Sequence, residues 1–164
     1  MSFKSLHIAF FSLFIIILSA AGCKKSCGVC DYGTACNNGY CFCPNGYEGD
    51  SCRTLSATKY LHNFTVSDPC SGSSTYSVYV TADPYIANKL WFNNLFGQAI
   101  EVDIYSDASK QGVTLGIPDQ NFGVAEVTGT GTYQSVNGFG RITFNVDYVS
   151  GGVDRQCTVI LTQY

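Results

Sequence analysis

Apolar and polar residues alternate with a period of two over most of the chain beyond residue 58. Ile100-Val102-Ile104 stand against Glu101-Asp103-Tyr105, and Ile142-Phe144-Val146-Tyr148 against Arg141-Thr143-Asn145-Asp147. Such alternation gives a strand one apolar face and one wet face, as in antiparallel sheet. Tyr76-Val78-Val80, Leu90-Phe92 and Val113-Leu115-Ile117 repeat it. The pattern predicts eight strands, near 59–67, 74–82, 88–94, 99–106, 112–117, 122–129, 139–149 and 154–163. Turn residues fall between them: Asp83-Pro84, Asn93-Asn94 with Gly97, Pro118-Asp119, Asn137-Gly138 and Gly151-Gly152. No stretch carries convincing helical periodicity. The expected fold class is mainly β, with residues 59–164 forming an eight-stranded antiparallel β-barrel and a β-sandwich as the alternative.

Two cysteines bear on that choice. Cys70 follows the first strand and Cys157 lies early in the eighth. If those strands pair antiparallel, a Cys70–Cys157 bridge crosses the closing seam of a barrel. A barrel of eight strands is just wide enough to be filled by side chains or to hold one small ligand. With Phe64, Tyr76, Phe92, Phe144 and Tyr148 on the apolar faces, a filled interior is the expectation.

The pattern changes toward the N-terminus. Lys4 and His7 precede an apolar run from Ile8 to Leu18, and small residues follow. A run of about eleven residues is too short to cross a bilayer core of roughly 30 Å as a helix. Residues 1–22 therefore have the form of a signal peptide. The sequence Ser19-Ala20-Ala21-Gly22-Cys23 resembles a bacterial lipobox. That resemblance implies cleavage before Cys23 and acylation of its sulfur, palmitate being a common acyl chain. The chain has nine cysteines, so one is left over from any complete pairing, and Cys23 is the one with a separate role on offer. Residues 23–26 would then be a lipidated tether, with Lys24 and Lys25 beside anionic headgroups. Ordinary signal cleavage without a lipid, as in a secreted eukaryotic protein, is the alternative.

From Cys27 to Cys52 the chain holds six cysteines and almost no aliphatic residues. A segment this short cannot bury enough apolar surface to fold without staples, and disulfides imply an oxidising compartment. The order Cys41-x-Cys43, then Gly46-Tyr47, Gly49 and Cys52, resembles the end of an epidermal-growth-factor-like (EGF-like) module, with Cys30, Cys36 and Asn38-Gly39 in keeping. Membership of that family implies the pairs Cys27–Cys36, Cys30–Cys41 and Cys43–Cys52. The rival is a zinc site, because Cys27-x2-Cys30 has ligand spacing. Residues 53–58 read as a linker to the β domain. Lipobox, short EGF-like module and β domain together resemble small lipoproteins of Bacteroidota. Within the β domain the resemblance is carried by Phe64-Thr65-Val66-Ser67, Cys70, Asn93-Asn94, Ile117-Pro118, Gly129-Thr130-Gly131 and Cys157.

Composition narrows the function classes. Charged residues make up 13% of the 164-residue chain, about half the usual share, and the formal net charge is −3. No basic stripe exists for nucleic acid. Lys24-Lys25-Ser26 stands where calcium-binding EGF-like modules place acceptor oxygens, so no calcium is expected there. No cofactor is indicated. Once the signal is removed, His62 is the sole histidine, and it reads as an ordinary strand residue. Glu101 and Asp103 share a strand face roughly 7 Å apart. A carboxylate pair can hydrolyse glycosides, but a solvated strand face is the simpler expectation.

Binding remains. Tyr79, Trp91 and Tyr105 lie opposite the apolar positions of their strands and would form an aromatic platform for sugar rings or a protein. The expected function is that of a membrane-anchored, non-enzymatic lipoprotein of the cell envelope, on a bacterial outer membrane, engaging an extracellular or periplasmic protein or glycan. The alternative is a carrier of a small apolar ligand, lipocalin-like in strand number alone.

Overall fold

A computed structural model describes residues 27–33, 35–37, 39–72, 75–107, 112–123 and 125–164. The stretch expected to be a signal peptide, residues 1–22, and Cys23 lie outside the described residues. The first part is held by short contacts and sulfur. Strands β1 (Cys36–Asn37) and β2 (Tyr40–Cys41) pair antiparallel, as do β3 (Tyr47–Glu48) and β4 (Thr54–Leu55). Three bridges, Cys27–Cys36, Cys30–Cys41 and Cys43–Cys52, do the work that a core does elsewhere. Each closes a short loop and contributes about 2–3 kcal/mol in the chain-entropy account. Together with a fourth bridge they place the folded chain in an oxidising, extracytoplasmic compartment.

Eight strands follow: β5 (Asn63–Ser67), β6 (Thr75–Ala82), β7 (Lys89–Leu95), β8 (Gln98–Asp107), β9 (Gly112–Asn121), β10 (Ala125–Val136), β11 (Phe139–Ser150) and β12 (Val153–Gln163). Each pairs antiparallel with the next, and β12 returns to pair with β5, so the sheet is a closed barrel rather than a sandwich. Three connections are two-residue turns with both residues at positive φ: Phe96-Gly97, Asn137-Gly138 and Gly151-Gly152. That geometry matches the right-handed twist of hairpin strands.

The period-two faces sort as the alternation requires. Ile100, Val102, Ile104, Ile142, Phe144 and Val146 are buried inside, while Glu101, Asp103, Arg141 and Asp147 lie on the outer wall. The interior is occupied by Phe64, Phe92 and Phe144, all fully buried, with the Phe92 and Phe144 rings edge to face at 5.6 Å. Each large apolar side chain so buried contributes about 1.5–3 kcal/mol. Gly131 makes room for this packing, since a Cβ there would stand 2.4 Å from the Phe144 ring. Tyr76 and Tyr148 are partly buried against the same core. No helix among the described residues is long and apolar enough to cross a membrane. The wall itself turns polar side chains outward, the reverse of a membrane-spanning barrel.

Three boundaries differ from the alternation. The first barrel strand begins at Asn63, not 59, because Ser56–Tyr60 coil into a 3-10 turn that drives Tyr60 into the barrel mouth. There its ring meets Tyr133 edge-on at 5.2 Å. Residues 53–58 thus carry β4 and the start of this turn. Pro118-Asp119 does not end β9. The pairs Ile117↔Gly129 and Gln120↔Val127 leave these two residues opposite Thr128 alone, a bulge that absorbs a residue with no N–H to donate. β10 runs on to Val136 because its partner β11 continues beside it for twelve pairs.

The seam between β12 and β5 is short, with four pairs from Phe64↔Gln163 to Ser67↔Ile160. Cys70 and Cys157 continue the same register beyond the last pair, and their bridge spans 5.8 Å between Cα atoms. Arg155 donates to the Cys70 carbonyl at 2.7 Å. Asp68, only 2% exposed, accepts from the Cys70 and Ser71 amides, the Ser71 hydroxyl and the Tyr76 hydroxyl. Buried charge is tolerated when its oxygens are so fully paired. Tyr76 in turn accepts from the Phe96 amide at 3.2 Å, and Phe96 stacks on Tyr148. This network closes the end of the barrel opposite Tyr60.

Candidate functional site

The three aromatics singled out by alternation share the outer wall but not a patch. Tyr79 (β6) faces Asn93 across the ladder. Trp91 (β7) lies one rung along, between Thr81 and Glu101. The next rung is Lys89 with Asp103, and Tyr105 (β8) is beyond that. Polar side chains therefore separate them. Trp91 is partly covered and donates through Nε1 to Asp83 at 3.2 Å. Tyr105 lies flat over Gly116, where a Cβ would stand 2.6 Å from its ring, and donates to Asp103 at 3.3 Å. Burial under this contact, with Asp103 nearby, raises its pKa.

The carboxylate pair is likewise committed locally. Glu101 and Asp103 share the outer face, and Glu101 is bound to Lys89 at 2.6 Å. That hydrogen bond holds the Lys89 ammonium above the ordinary lysine range. His62 is exposed. The sulfurs of Cys27, Cys30 and Cys41 come within 4.8 Å of one another, the span of a metal cluster. All three are half-cystines, however, and a disulfide sulfur offers zinc no thiolate.

Among the described residues, a concave stretch of the wall crosses β10, β11 and β12. Register stacks two rungs of polar side chains there: Thr130, Asn145 and Thr158, then Thr128, Asp147 and Gln156. They line a groove of about 580 Å³. A second hollow of about 350 Å³ shares Asp147 and Gln156 and adds Tyr148, Asp154 and Arg155. Thr158 donates to the Asn145 carboxamide, and Thr128 to the Ile117 carbonyl. Asp147, Gln156 and Thr130 make no side-chain hydrogen bond to the described residues. The groove thus presents a carboxylate, a carboxamide and a hydroxyl to an incoming group. Such a set receives hydroxyls or peptide groups, and its negative charge disfavours anions. Nothing in the linear sequence marks these residues, which come from three strands and meet only through register.

No protein-family model, curated protein or solved structure matches this chain. What can be said of function rests on the residues themselves.

Proposed function

We propose that this chain is an exported, lipid-anchored interaction protein of the bacterial cell envelope. Cys23 carries the acyl chains, an EGF-like module holds the barrel close to the membrane, and the barrel engages a glycan or protein partner outside the cytoplasm. The lipobox-like Ser19-Ala20-Ala21-Gly22-Cys23 and the disulfide bridges support this address.

The observation that carries the binding role is where free space lies. The barrel interior is taken up by Phe64, Phe92, Phe144 and the aliphatic side chains around them. Polar side chains without a hydrogen bond to the described residues gather instead in the outer groove around Asp147 and Gln156. A ligand therefore meets the wall from outside, and the role we propose is binding rather than catalysis.

The test combines two measurements on protein purified gently from its own membranes. The mass of the N-terminal peptide reports acylation of Cys23. Screening against envelope polysaccharides and secreted proteins, with an Asp147→Asn, Gln156→Ala variant alongside, reports the groove. Acylated Cys23 with binding lost in the variant supports the proposal. A small apolar ligand released on denaturation would instead make the barrel a carrier and overturn it.

A further inference from the structure

One connection of the barrel is built to hold apolar side chains out in water. Tyr85, 93% exposed, and Ile86, 43% exposed, form the tip of the loop between β6 and β7. Exposed loop tips are ordinarily polar and mobile. This one is fastened from every side. Asp83 accepts from the Tyr85 and Ile86 amides at 2.9 and 3.0 Å, and its other oxygen accepts from Trp91. The Lys89 amide donates back to the Ile86 carbonyl, and the Asp83 amide to the Lys89 carbonyl.

The loop also meets the disulfide-rich region. Gly46 has φ +90°, and a Cβ there would stand 2.7 Å from the Ala87 backbone, so the two backbones are in direct contact. The Lys59–Glu48 ion pair and the bond from the Ser56 amide to the Gly46 carbonyl add to the same junction. The disulfide-rich region brings its own exposed apolar side chains: Val29, Tyr32, Tyr40 and Phe42. At the far end of the barrel, among the described residues, Val153 is the exposed large apolar side chain.

We infer that the Tyr85–Ile86 tip and the exposed apolar side chains of the disulfide-rich region seat this end of the protein on a lipid surface. The inference rests on the anchor proposed at Cys23. Four residue steps separate Cys23 from Cys27, which fully extended span at most about 14 Å. Acyl chains in the bilayer therefore hold the disulfide-rich region close to the headgroups. Tyrosine with neighbouring apolar groups is the composition favoured at a membrane–water interface, and Lys24 and Lys25 follow Cys23 directly in the sequence. Acyl chain and interfacial side chains then act as two attachment signals rather than one.

The test uses the full chain bearing Tyr85→Trp, reconstituted into vesicles of phosphatidylethanolamine and phosphatidylglycerol with lipid brominated just below the headgroup. The parent chain supplies the Trp91 background, and Val153→Trp reports the far end. The emission added by Tyr85→Trp is expected to shift to shorter wavelength and lose roughly half its intensity to the brominated lipid. That added by Val153→Trp is expected to do neither. Added Tyr85→Trp emission that stays open to aqueous iodide and indifferent to bromine overturns the inference. The N-terminal peptide mass of the same preparation separates the two claims. Acylated Cys23 with unquenched emission keeps the anchor and removes the seating. Unacylated Cys23 with quenched emission removes the anchor and keeps the seating. An unacylated chain that does not bind the vesicles overturns both.

Discussion

The carboxamide of Gln120 pairs with both backbone groups of Glu101, accepting from its amide and donating to its carbonyl, each at 2.8 Å. A side chain here replaces a missing piece of backbone ladder. β9 and β8 pair in register up to Gly116↔Asp103, and Pro118 then interrupts. Gln120→Ala is expected to cost about 1–3 kcal/mol, because two partners are left unpaired in a partly covered position. Gln120→Glu is expected to cost at least as much, since a carboxylate has no proton for the Glu101 carbonyl. Urea unfolding of the two variants beside the parent checks both, and equal midpoints for all three would refute the account.

The Cys70–Cys157 bridge encloses a separation of 87 residues. In the chain-entropy account a loop of that size is worth about 4–5 kcal/mol. The paired substitution Cys70→Ser, Cys157→Ser is expected to remove most of this, and to do so by loosening the four-pair β5–β12 seam first. Hydrogen exchange provides the check. Amides of Phe64 to Ser67 should lose protection ahead of those in β10 and β11, whereas uniform loss would mean that the seam is no weaker than the rest.

Tyr60 is fully buried, yet among the described residues its hydroxyl has no hydrogen-bond partner, and neither has that of Ser56. Tyr60→Phe is therefore expected to be neutral or to stabilise by up to about 1 kcal/mol, whereas Tyr60→Ala costs about 3–5 kcal/mol through lost packing. Burial, with Glu48 and Tyr133 adding to it, holds the Tyr60 pKa far above the ordinary tyrosine value. The unfolded phenol ionises near pH 10 and the folded one does not, so stability falls as the pH rises past about 10. Thermal midpoints above that pH should fall less steeply in Tyr60→Phe than in the parent.

Asp83 titrates in the opposite sense. The Tyr85 amide leads the donors that hold its carboxyl below the usual carboxylate range, followed by Trp91, Ile86 and the Lys89 charge. A folded value below the unfolded one means that its hold on the loop is fully present above about pH 4 and is lost as the pH falls through the folded value. Trp91 is the chain's one tryptophan and touches this carboxylate, so its emission is the readout. A step in Trp91 emission below about pH 4, absent in Asp83→Asn, is the expected result.

How far the chain could be read in advance follows from the range of the forces involved. Ile100-Val102-Ile104 and Ile142-Phe144-Val146 announced their strands because burial on one face writes itself into neighbouring residues. Asn137-Gly138 announced its hairpin because few residues tolerate positive φ. Lys59 and Tyr60 read as strand because Tyr60, apolar and next to strand residues, fits the alternation equally well as a plug. Pro118 reads locally as a breaker, and whether it ends a strand or sits in a bulge depends on Val127 and Gly129 of the partner strand. Trp91 and Tyr105 face outward as the alternation predicts, but the polar rung between them follows from register alone. The Asp147–Gln156 groove and the Lys89–Glu101 pair depend on register in the same way.

The seam has a kinetic consequence. Seven of the eight barrel pairings join neighbours in sequence, and each can form soon after its second strand is available. The eighth joins Phe64 to Gln163, across nearly the whole domain. Long-range pairings carry the largest loop-closure cost and set the folding rate. A chain that emerges from its N-terminus therefore waits for its last strand as a curled, open ribbon, with one edge of β5 exposed. Only when the eleven residues of β12 arrive can the ribbon close and the Cys70 and Cys157 sulfurs meet.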